Sequence, residues 1–449
     1  MLAHFIKSED LHDVLTCSPA FADLFLELWL AEDRRDESGK LVYRMVEYSI
    51  DEACPIIDLA TEILYGERSM ETFLAQCSTA RQRNLFCVAV MDRVARGWGS
   101  NKISPVGWIR SLNQLASTVY HLFKEHDGFF RNLRRIEYLM QTSLELNAFS
   151  KVMANEPQLH SLAAHLVSSL LNLSQLASDK RNRHSHIRRN WRHLHKGCFD
   201  EALFRATMVL RNDEQGGRIF GCISPFLDEL GSYLAFPSTF GYSEHSQILP
   251  EDPPRLSKAA DQWALFLETQ DRTARAFEAL KSRPPVFSCD SLSCALSGKE
   301  LTSKPKQCSG CSSVVYCSLA CQKRDWEEQH RGECPCAQQL HDERRALHTF
   351  YDHETRASQT ALLEVIYAKD AHSEKYNSSA VYPVFDCSFM GGLEKGSCLV
   401  DIRDSIHWDK SSRQVYHRHR IDTLIDVYRS RAVLYGWRLA ECILPPIGE

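Results

Sequence analysis

Hydrophobic residues recur at three- and four-residue steps through the first 280 residues, and this spacing predicts helices. The clearest runs are Phe21-Leu24-Phe25-Leu28, Ile56-Leu59-Ile63 and Leu159-Leu162-Leu166-Leu170-Leu173. Strand-like alternation is scarce in this part of the chain. Successive helices favour stacked hairpins, as in an α-solenoid, although no clean repeat period is visible in the sequence. The fold class we expect is mainly α, with a helical, solenoid-like domain over residues 1–282.

Three of these helices are predicted to begin at a Ser-Pro pair. Serine can accept a hydrogen bond from a free backbone amide of the first turn, and proline fits the first helical position because no amide donor is needed there. The three pairs are Ser18-Pro19, Ser104-Pro105 and Ser224-Pro225.

The rest of the chain is predicted to contain a linker and two further parts. Residues 243–258 are rich in proline and polar residues, which is typical of a loop, and a helix is expected over about 259–281. A cysteine-rich segment at 284–338 and a C-terminal segment at 339–449 follow. The latter is predicted to be a small α+β unit with a helix, two strands (380–390 and 396–404) and a terminal amphipathic helix. The apolar face of that last helix holds Ile421, Leu424, Ile425, Tyr428, Ala432, Tyr435 and Leu439.

Composition narrows the classes of protein that the chain can represent. The apolar fraction of 44%, the charged fraction of 25% and the net charge of -5 are ordinary for a soluble protein. They give no general reason to expect nucleic-acid or membrane binding. The N-terminus lacks the apolar core of a secretory signal, so we expect a cytoplasmic or nuclear location. Residues 159–178 are apolar but contain polar side chains, which favours a buried helix over a membrane span.

Cysteines are concentrated in one short stretch. Of seventeen in the chain, eight lie between Cys289 and Cys336. A reducing compartment disfavours disulfides, so clustered cysteines point first to metal binding. A disulfide knot and an iron–sulfur cluster are less consistent with the compartment and with the included histidine. Eight ligands correspond to two tetrahedral Zn²⁺ ions, and they form the pairs Cys289/Cys294, Cys308/Cys311, Cys317/Cys321 and His330/Cys334.

The spacing within the last two pairs predicts helical geometry. Cys317/Cys321 and His330/Cys334 are each four residues apart, which would place each pair on one face of a helix. The same spacing favours Cys334 over the nearby Cys336 as the partner of His330. A segment of this size can hardly bury enough apolar surface to fold alone, so the two ions would replace a missing core.

This segment resembles a MYND-type zinc finger. The resemblance rests on Tyr316-Cys317, Cys321-Gln322, Asp325-Trp326 and His330/Cys334. It implies interleaved sites, with Cys289, Cys294, Cys317 and Cys321 around one ion and Cys308, Cys311, His330 and Cys334 around the other. It departs from the family in the first pair, which is separated by four residues instead of two. It also implies binding of proline-rich peptides in a groove formed by Ser309, Gln322 and Trp326.

The function expected from these features is protein–protein interaction. Two sites closed by protein ligands leave no open position for hydrolysis, so the finger is structural and the chain is not expected to be an enzyme. The alternative is a lysine methyltransferase similar to SET-and-MYND proteins. In that family the finger lies near the N-terminus, whereas here it lies late in the chain, and no Asn-His-Ser-Cys motif is present.

A basic segment at residues 180–196 leaves open a third functional class, nucleic-acid binding. It contains seven Lys or Arg, four His and no acidic residue. It could bind phosphate groups or serve as a nuclear import signal. A solvated helix face or loop, with solvated or pH-titrating histidines, is the interpretation we favour. The expected partner is therefore a protein with a proline-rich segment, and neither nucleic acid nor membrane.

Overall fold

The structure is a computed structural model of the chain. The residues that it describes are 9–35, 41–43, 54–96, 104–179, 184–210, 218–219, 221–223, 226–227, 230, 260–282, 289–294, 306–346, 361, 381–386, 398–401, 420, 423, 426 and 441–443.

The chain divides into two compact units. The first unit comprises residues 1–182, 189–223 and 242–260. It is mainly helical, with one short antiparallel pair of strands, β1 (Glu32–Arg35) and β2 (Leu41–Tyr43). Its helices begin with α1 (Glu9–Thr16), α2 (Pro19–Leu30), α3 (Pro55–Tyr65), α4 (Glu67–Gln76), α5 (Ala80–Arg96) and α6 (Pro105–Glu125). They continue with α7 (Asp127–Arg135), α8 (Tyr138–Asn155), the 3₁₀ turn Pro157–Leu162, α9 (Ala163–Ala177), residues 189–196 of α10 (His184–Lys196) and α11 (Phe199–Val209).

The second unit comprises residues 183–188, 224–241 and 261–449. Its long helix α12 (Ala260–Ser282) agrees with the helix predicted over 259–281. The cysteine-rich segment follows with β3 (Lys306–Gln307), β4 (Val315–Tyr316), α13 (Leu319–Asp325), a π-helical turn (Trp326–His330) and α14 (Arg331–Ala346). Three strands lie further along the chain: β5 (Val381–Asp386), β6 (Cys398–Asp401) and β7 (Glu441–Ile443). The division into 1–282, 284–338 and 339–449 stays a prediction.

Helices of the first unit stack with a step of three elements. Helix α3 packs against α6, α6 against α9, and α8 against α11. Hydrogen bonds between these pairs join residues almost equally far apart in sequence: 57 for Thr61 and Thr118, 56 for Asn113 and Ser169, and 58 for Asn147 and Arg205. This is the stacking expected of an α-solenoid, with three helices in each layer.

A cluster of aromatic side chains forms part of the core of this unit. Phe73 has no exposed surface, and its ring centroid lies 5.9 Å from that of Phe25, 5.3 Å from that of Phe86 and 6.1 Å from that of Phe129. These rings come from helices α2, α4, α5 and α7, so a single cluster joins four helices. Tilted, edge-to-face and stacked pairs such as these add to the stabilisation from apolar burial.

Two of the predicted Ser-Pro helix starts are confirmed. Helix α2 begins at Pro19 after Ser18, and helix α6 begins at Pro105 after Ser104. Only Ser104 caps as expected, with its Oγ accepting a hydrogen bond from the Gly107 amide at 3.0 Å. The Ser18 side chain makes no such bond. Ser224-Pro225 lies outside the described residues.

The C-terminal strands confirm part of the predicted α+β segment. The sheet has the order β6-β5-β7, with β5 antiparallel to β6 and parallel to β7. Strand β7 was not predicted from the sequence. The predicted linker at 243–258 and the apolar face of the terminal helix, from Ile421 to Leu439, lie outside the described residues. Among the helices that the structure describes, none is long and apolar enough to cross a membrane.

Candidate metal centre

A tight hairpin positions the second cysteine pair. Strands β3 and β4 are antiparallel, and between them the Cys308 amide donates to the Val314 carbonyl at 3.1 Å. The Ser312 amide donates to the Cys308 carbonyl at 2.9 Å, and Ser312 adopts a left-handed conformation with φ of 54°. The turn thereby folds back so that the Cys308 and Cys311 thiols lie on the same side.

Gly310, within this turn, lies close to a sulfur from another element. A β-carbon on Gly310 would lie 3.3 Å from Cys334 Sγ and 3.8 Å from Cys308 Sγ. The first distance is tighter than an ordinary van der Waals contact. The absence of a side chain therefore allows the hairpin to approach the helix that carries Cys334.

The third cysteine pair spans a helix start, which corrects the prediction that both members lie on one helix face. Cys317 lies in a bend before α13, and Ser318 is the N-cap, with its Oγ accepting from the Cys321 amide at 3.2 Å. Serine prefers this extended capping position to the helix interior. The turn still brings Cys317 Sγ to 3.4 Å from Cys321 Sγ.

The fourth pair lies where the π-helical turn passes into α14. His330 ends the π-helical turn and Cys334 lies in the first part of α14, so both are helical as predicted. His330 Nε2 lies 3.4 Å from Cys311 Sγ, and Cys334 Sγ lies 3.8 Å from Cys308 Sγ. These contacts join the helix to the hairpin.

The eight predicted ligands gather into two groups of four. In each group the ligand atoms all lie within 4.8 Å of one another. The first group holds Cys289, Cys294, Cys317 and Cys321, and the second holds Cys308, Cys311, His330 and Cys334.

The donor chemistry and spacing of both groups fit zinc. Tetrahedral Zn²⁺ with Zn–S bonds of about 2.3 Å places its sulfur ligands about 3.8 Å apart. The sulfur separations of 3.4 to 3.8 Å lie near this value, whereas a disulfide would require about 2.05 Å. The two groups therefore fit two zinc ions, one held by four thiolates and one by three thiolates and an imidazole.

The electrostatics of the second group favour metal binding. Burial raises the pKa of the Cys311 thiol, but the hydrogen bonds from His330, the Ser313 amide and Cys308, together with the charge of His330, outweigh burial and lower that pKa to about 7. Burial lowers the pKa of His330, while Cys311 and Glu333 raise it to about 10. Without metal, the proximity of the two groups favours the form in which a thiolate lies beside an imidazolium. Zinc would take the place of the imidazolium proton as the partner of the thiolate.

Buried carboxylates surround these ligands, and sequence patterns did not predict them. Glu333 Oε2 lies 3.8 Å from His330 Nδ1, and Tyr316 Oη donates to Asp325 Oδ2 at 2.7 Å. Asp325 and Glu333 are each 1% exposed, and both contact the distant Arg420. The resemblance to MYND fingers included Tyr316 and Asp325 among its matching residues but assigned them no contact. Nothing in the sequence pointed to Arg420.

The predicted peptide-binding residues lie on the outside of the finger. Ser309 is exposed, Gln322 is half-buried, and Trp326 is 41% exposed. Cys336 is exposed and belongs to neither metal group. The position of Cys336 agrees with the prediction that Cys334, and not Cys336, is the partner of His330.

The histidines of the basic segment correct one expectation. His195 is buried rather than solvated, and its Nδ1 lies 2.7 Å from Asp200 Oδ2. Arg189, on the same helix α10, is exposed, in agreement with a solvated basic face. The side chain of Arg188 lies outside the described residues.

Comparison with known proteins agrees with the resemblance. Residues 294–334 match the family model described as the MYND finger. This segment is a MYND finger. The family model begins at Cys294, so it omits Cys289, which the structure nevertheless places in the first metal group. The match covers only a small part of the chain, and it classifies the finger alone.

One curated relative matches the same region. Ubiquitin carboxyl-terminal hydrolase 19 of Arabidopsis thaliana is 47% identical over 45 residues, which are 10% of this chain and 6% of the relative. The chain thus matches only a small fraction of that protein's length. No solved structure matches this chain.

Acidification is expected to release zinc from the MYND finger. Each cysteine ligand must be a thiolate and His330 must be neutral, so protons compete with the metal as the pH falls. Occupancy should be complete near neutral pH and lost by roughly pH 4, because the ligand pKa values lie above that. Zinc retained after dialysis, measured by elemental analysis at each pH, checks this. Full retention at the acid end would contradict it.

Proposed function

We propose that the chain is a non-enzymatic interaction protein that binds proline-rich segments of other proteins through its MYND finger. The helical first unit acts as a scaffold that presents or assembles these partners. Because cysteine-based zinc sites require reduced thiols, the cytoplasm or the nucleus is the expected location.

The exposed Trp326 is the observation that carries this proposal. It lies on a rigid support, since its ring packs edge-on against His330 with centroids 5.7 Å apart. Leu319, seven residues earlier, is 63% exposed, so two large apolar side chains face solvent two helical turns apart. A proline-rich peptide loses little entropy on docking against such an aromatic surface because it is already extended.

The closed metal groups support a binding role over catalysis. Each ion would have four protein ligands, which leaves no position for a substrate or an activated water. Detection of methyl transfer from a methyl donor to a protein lysine by the purified chain would contradict the non-enzymatic proposal.

Replacement of Trp326 is expected to weaken peptide binding. A proline-rich peptide array probed with the full chain would identify a ligand, and Trp326→Ala should reduce its affinity by about tenfold or more, as buried aromatic anchors usually do. Fluorescence anisotropy of the labelled peptide measures the change. Zinc content must remain that of the native chain, so that lost affinity reflects the lost indole.

Glu328→Ala provides the matched control. Glu328 is exposed and lies in the same π-helical turn as Trp326. We expect this variant to bind the peptide like the native chain. Equal affinities for the Trp326→Ala variant and the native chain would contradict the proposal that this face of the finger binds the peptide.

A further inference from the structure

An arginine from the C-terminal part of the chain packs its side chain against buried residues of the MYND finger. Arg420 is 87 residues beyond Glu333, yet its Nε donates to both Glu333 carboxylate oxygens, at 3.0 and 2.8 Å. Its Nη2 donates to Asp325 Oδ2 at 2.8 Å, and its Nη1 donates to the Asp290 carbonyl at 2.8 Å. Arg420 is only 7% exposed. All three nitrogens of the guanidinium are thus engaged by the finger.

These three partners come from different parts of the finger. Asp290 directly follows one ligand of the first metal group, and Asp325 ends the helix that carries another. Glu333 directly precedes a ligand of the second group. Arg420 therefore contacts segments that supply ligands to both zinc ions.

The buried negative charges of this region require a positively charged side chain nearby. Asp325 and Glu333 are buried carboxylates, and both thiolate-rich metal groups remain negative after zinc binds. Buried charges are tolerated when they are paired and hydrogen-bonded. Arg420 supplies positive charge and directed donors to both carboxylates, with the planar geometry that suits a carboxylate pair.

Glu333 connects this arrangement to a metal ligand. One of its oxygens lies 3.8 Å from Nδ1 of His330, whose Nε2 faces the second metal group. This distance is too long for a hydrogen bond, so Glu333 acts on the imidazole through its negative charge, which strengthens the binding of the ring to a cation. The hydrogen bonds from Arg420 Nε fix the position of that carboxylate, and the shorter one goes to Oε2, the oxygen nearest His330.

We propose that Asp290, Asp325 and Glu333 form an arginine-docking face on the finger, occupied by Arg420 of the same chain. Arg420 is a positioning residue: by fixing Glu333 it determines how firmly the group containing His330 holds zinc. Arg420 thereby links the C-terminal segment to the metal centre. This inference concerns zinc retention and is independent of which peptide the finger binds.

The test follows metal release from each group separately. Co²⁺ substituted for zinc gives visible absorption bands that differ between four-thiolate and three-thiolate–imidazole sites. In the full chain, Arg420→Met should speed cobalt release to a chelator by about 10- to 100-fold at the group containing His330, and much less at the other. Arg331→Met, which replaces an exposed arginine of the same finger, should release cobalt at the native rate.

Charge rescue distinguishes positioning from general stabilisation. In the triple variant Arg420→Met, Asp325→Asn, Glu333→Gln neither carboxylate is left without a partner, but the negative charge beside His330 is lost, so cobalt release from the group containing His330 should stay fast. A return to the native rate would show that Arg420 only balances buried charge, and it would overturn the proposal. Native-like release from Arg420→Met, or equal acceleration at both groups, would overturn the proposal. If the Arg420→Met variant fails to load cobalt, the Arg420→Lys variant provides the test, because it keeps the positive charge but loses the planar guanidinium donors. Cobalt release from Arg420→Lys at the native rate would equally overturn the proposal.

Discussion

Removal of both zinc ions will unfold residues 289–294 and 306–334 of the finger while the helices of the first unit stay folded. The buried cluster of the finger consists of Cys308, Cys311, Cys334, Val314, Tyr316 and Ala337. Half of these are metal ligands, so little apolar surface remains to hold the segment together without metal. Structural zinc contributes roughly 10–16 kcal/mol per site, whereas a core this small supplies at most about 3–5 kcal/mol.

Hydrogen exchange of the full chain, before and after chelation, checks this expectation. Amide protection should disappear in the finger, including the Cys308 and Ser312 amides of the hairpin, and should persist in helices such as α6 and α9. Re-addition of zinc should restore protection, which controls for irreversible oxidation of the thiols. A finger that stays protected after complete metal removal would show that apolar packing alone supports it.

Replacement of Phe73 by alanine will destabilise the first unit without removing zinc from the finger. Phe73 is fully buried and packs against three other aromatic rings, so its truncation leaves a large cavity between four helices. Such substitutions typically cost about 3–5 kcal/mol in the free energy of unfolding. Thermal unfolding followed by helical circular dichroism should show a markedly lower Tm, with the zinc content unchanged.

Leu24→Ala is the matched control for Phe73→Ala. Leu24 lies on helix α2, next to the buried Phe25, but is 39% exposed. Its loss should change the free energy of unfolding by well under half as much, because solvent already reaches the side chain. A Tm for Phe73→Ala equal to that of the control would show that the aromatic cluster does not stabilise the unit as described.

Local patterns predicted the helices of the first unit but not their arrangement. The three- and four-residue spacing of hydrophobic residues indicates which face of a helix is apolar. The pairs Ser18-Pro19 and Ser104-Pro105 indicate where two helices begin. The step of three helices was not visible, because the paired residues, such as Thr61 and Thr118, share no sequence motif. Their pairing depends on packing between surfaces that are far apart in sequence.

The metal ligands were predictable for a chemical reason, whereas their division into two groups was implied by the resemblance to MYND fingers. Zinc accepts few ligand types at fixed distances, so Cys and His at short spacings are a strong signal even without tertiary information. The helical interpretation of Cys317 was wrong because a four-residue spacing fits both a helix and the turn before a capped helix. Ser318 at the N-cap favoured the second arrangement.

The sequence alone therefore determined the mainly helical class and the eight zinc ligands, since these depend on neighbours within a few turns or on ligand chemistry, and the resemblance to MYND fingers implied how the ligands divide between two ions. Only the tertiary structure decided that the helices stack every third element and that His195 is buried beside Asp200. It alone placed Arg420 against Asp325 and Glu333. These features join residues through burial and charge pairing across long stretches of chain, and no local spacing encodes such contacts.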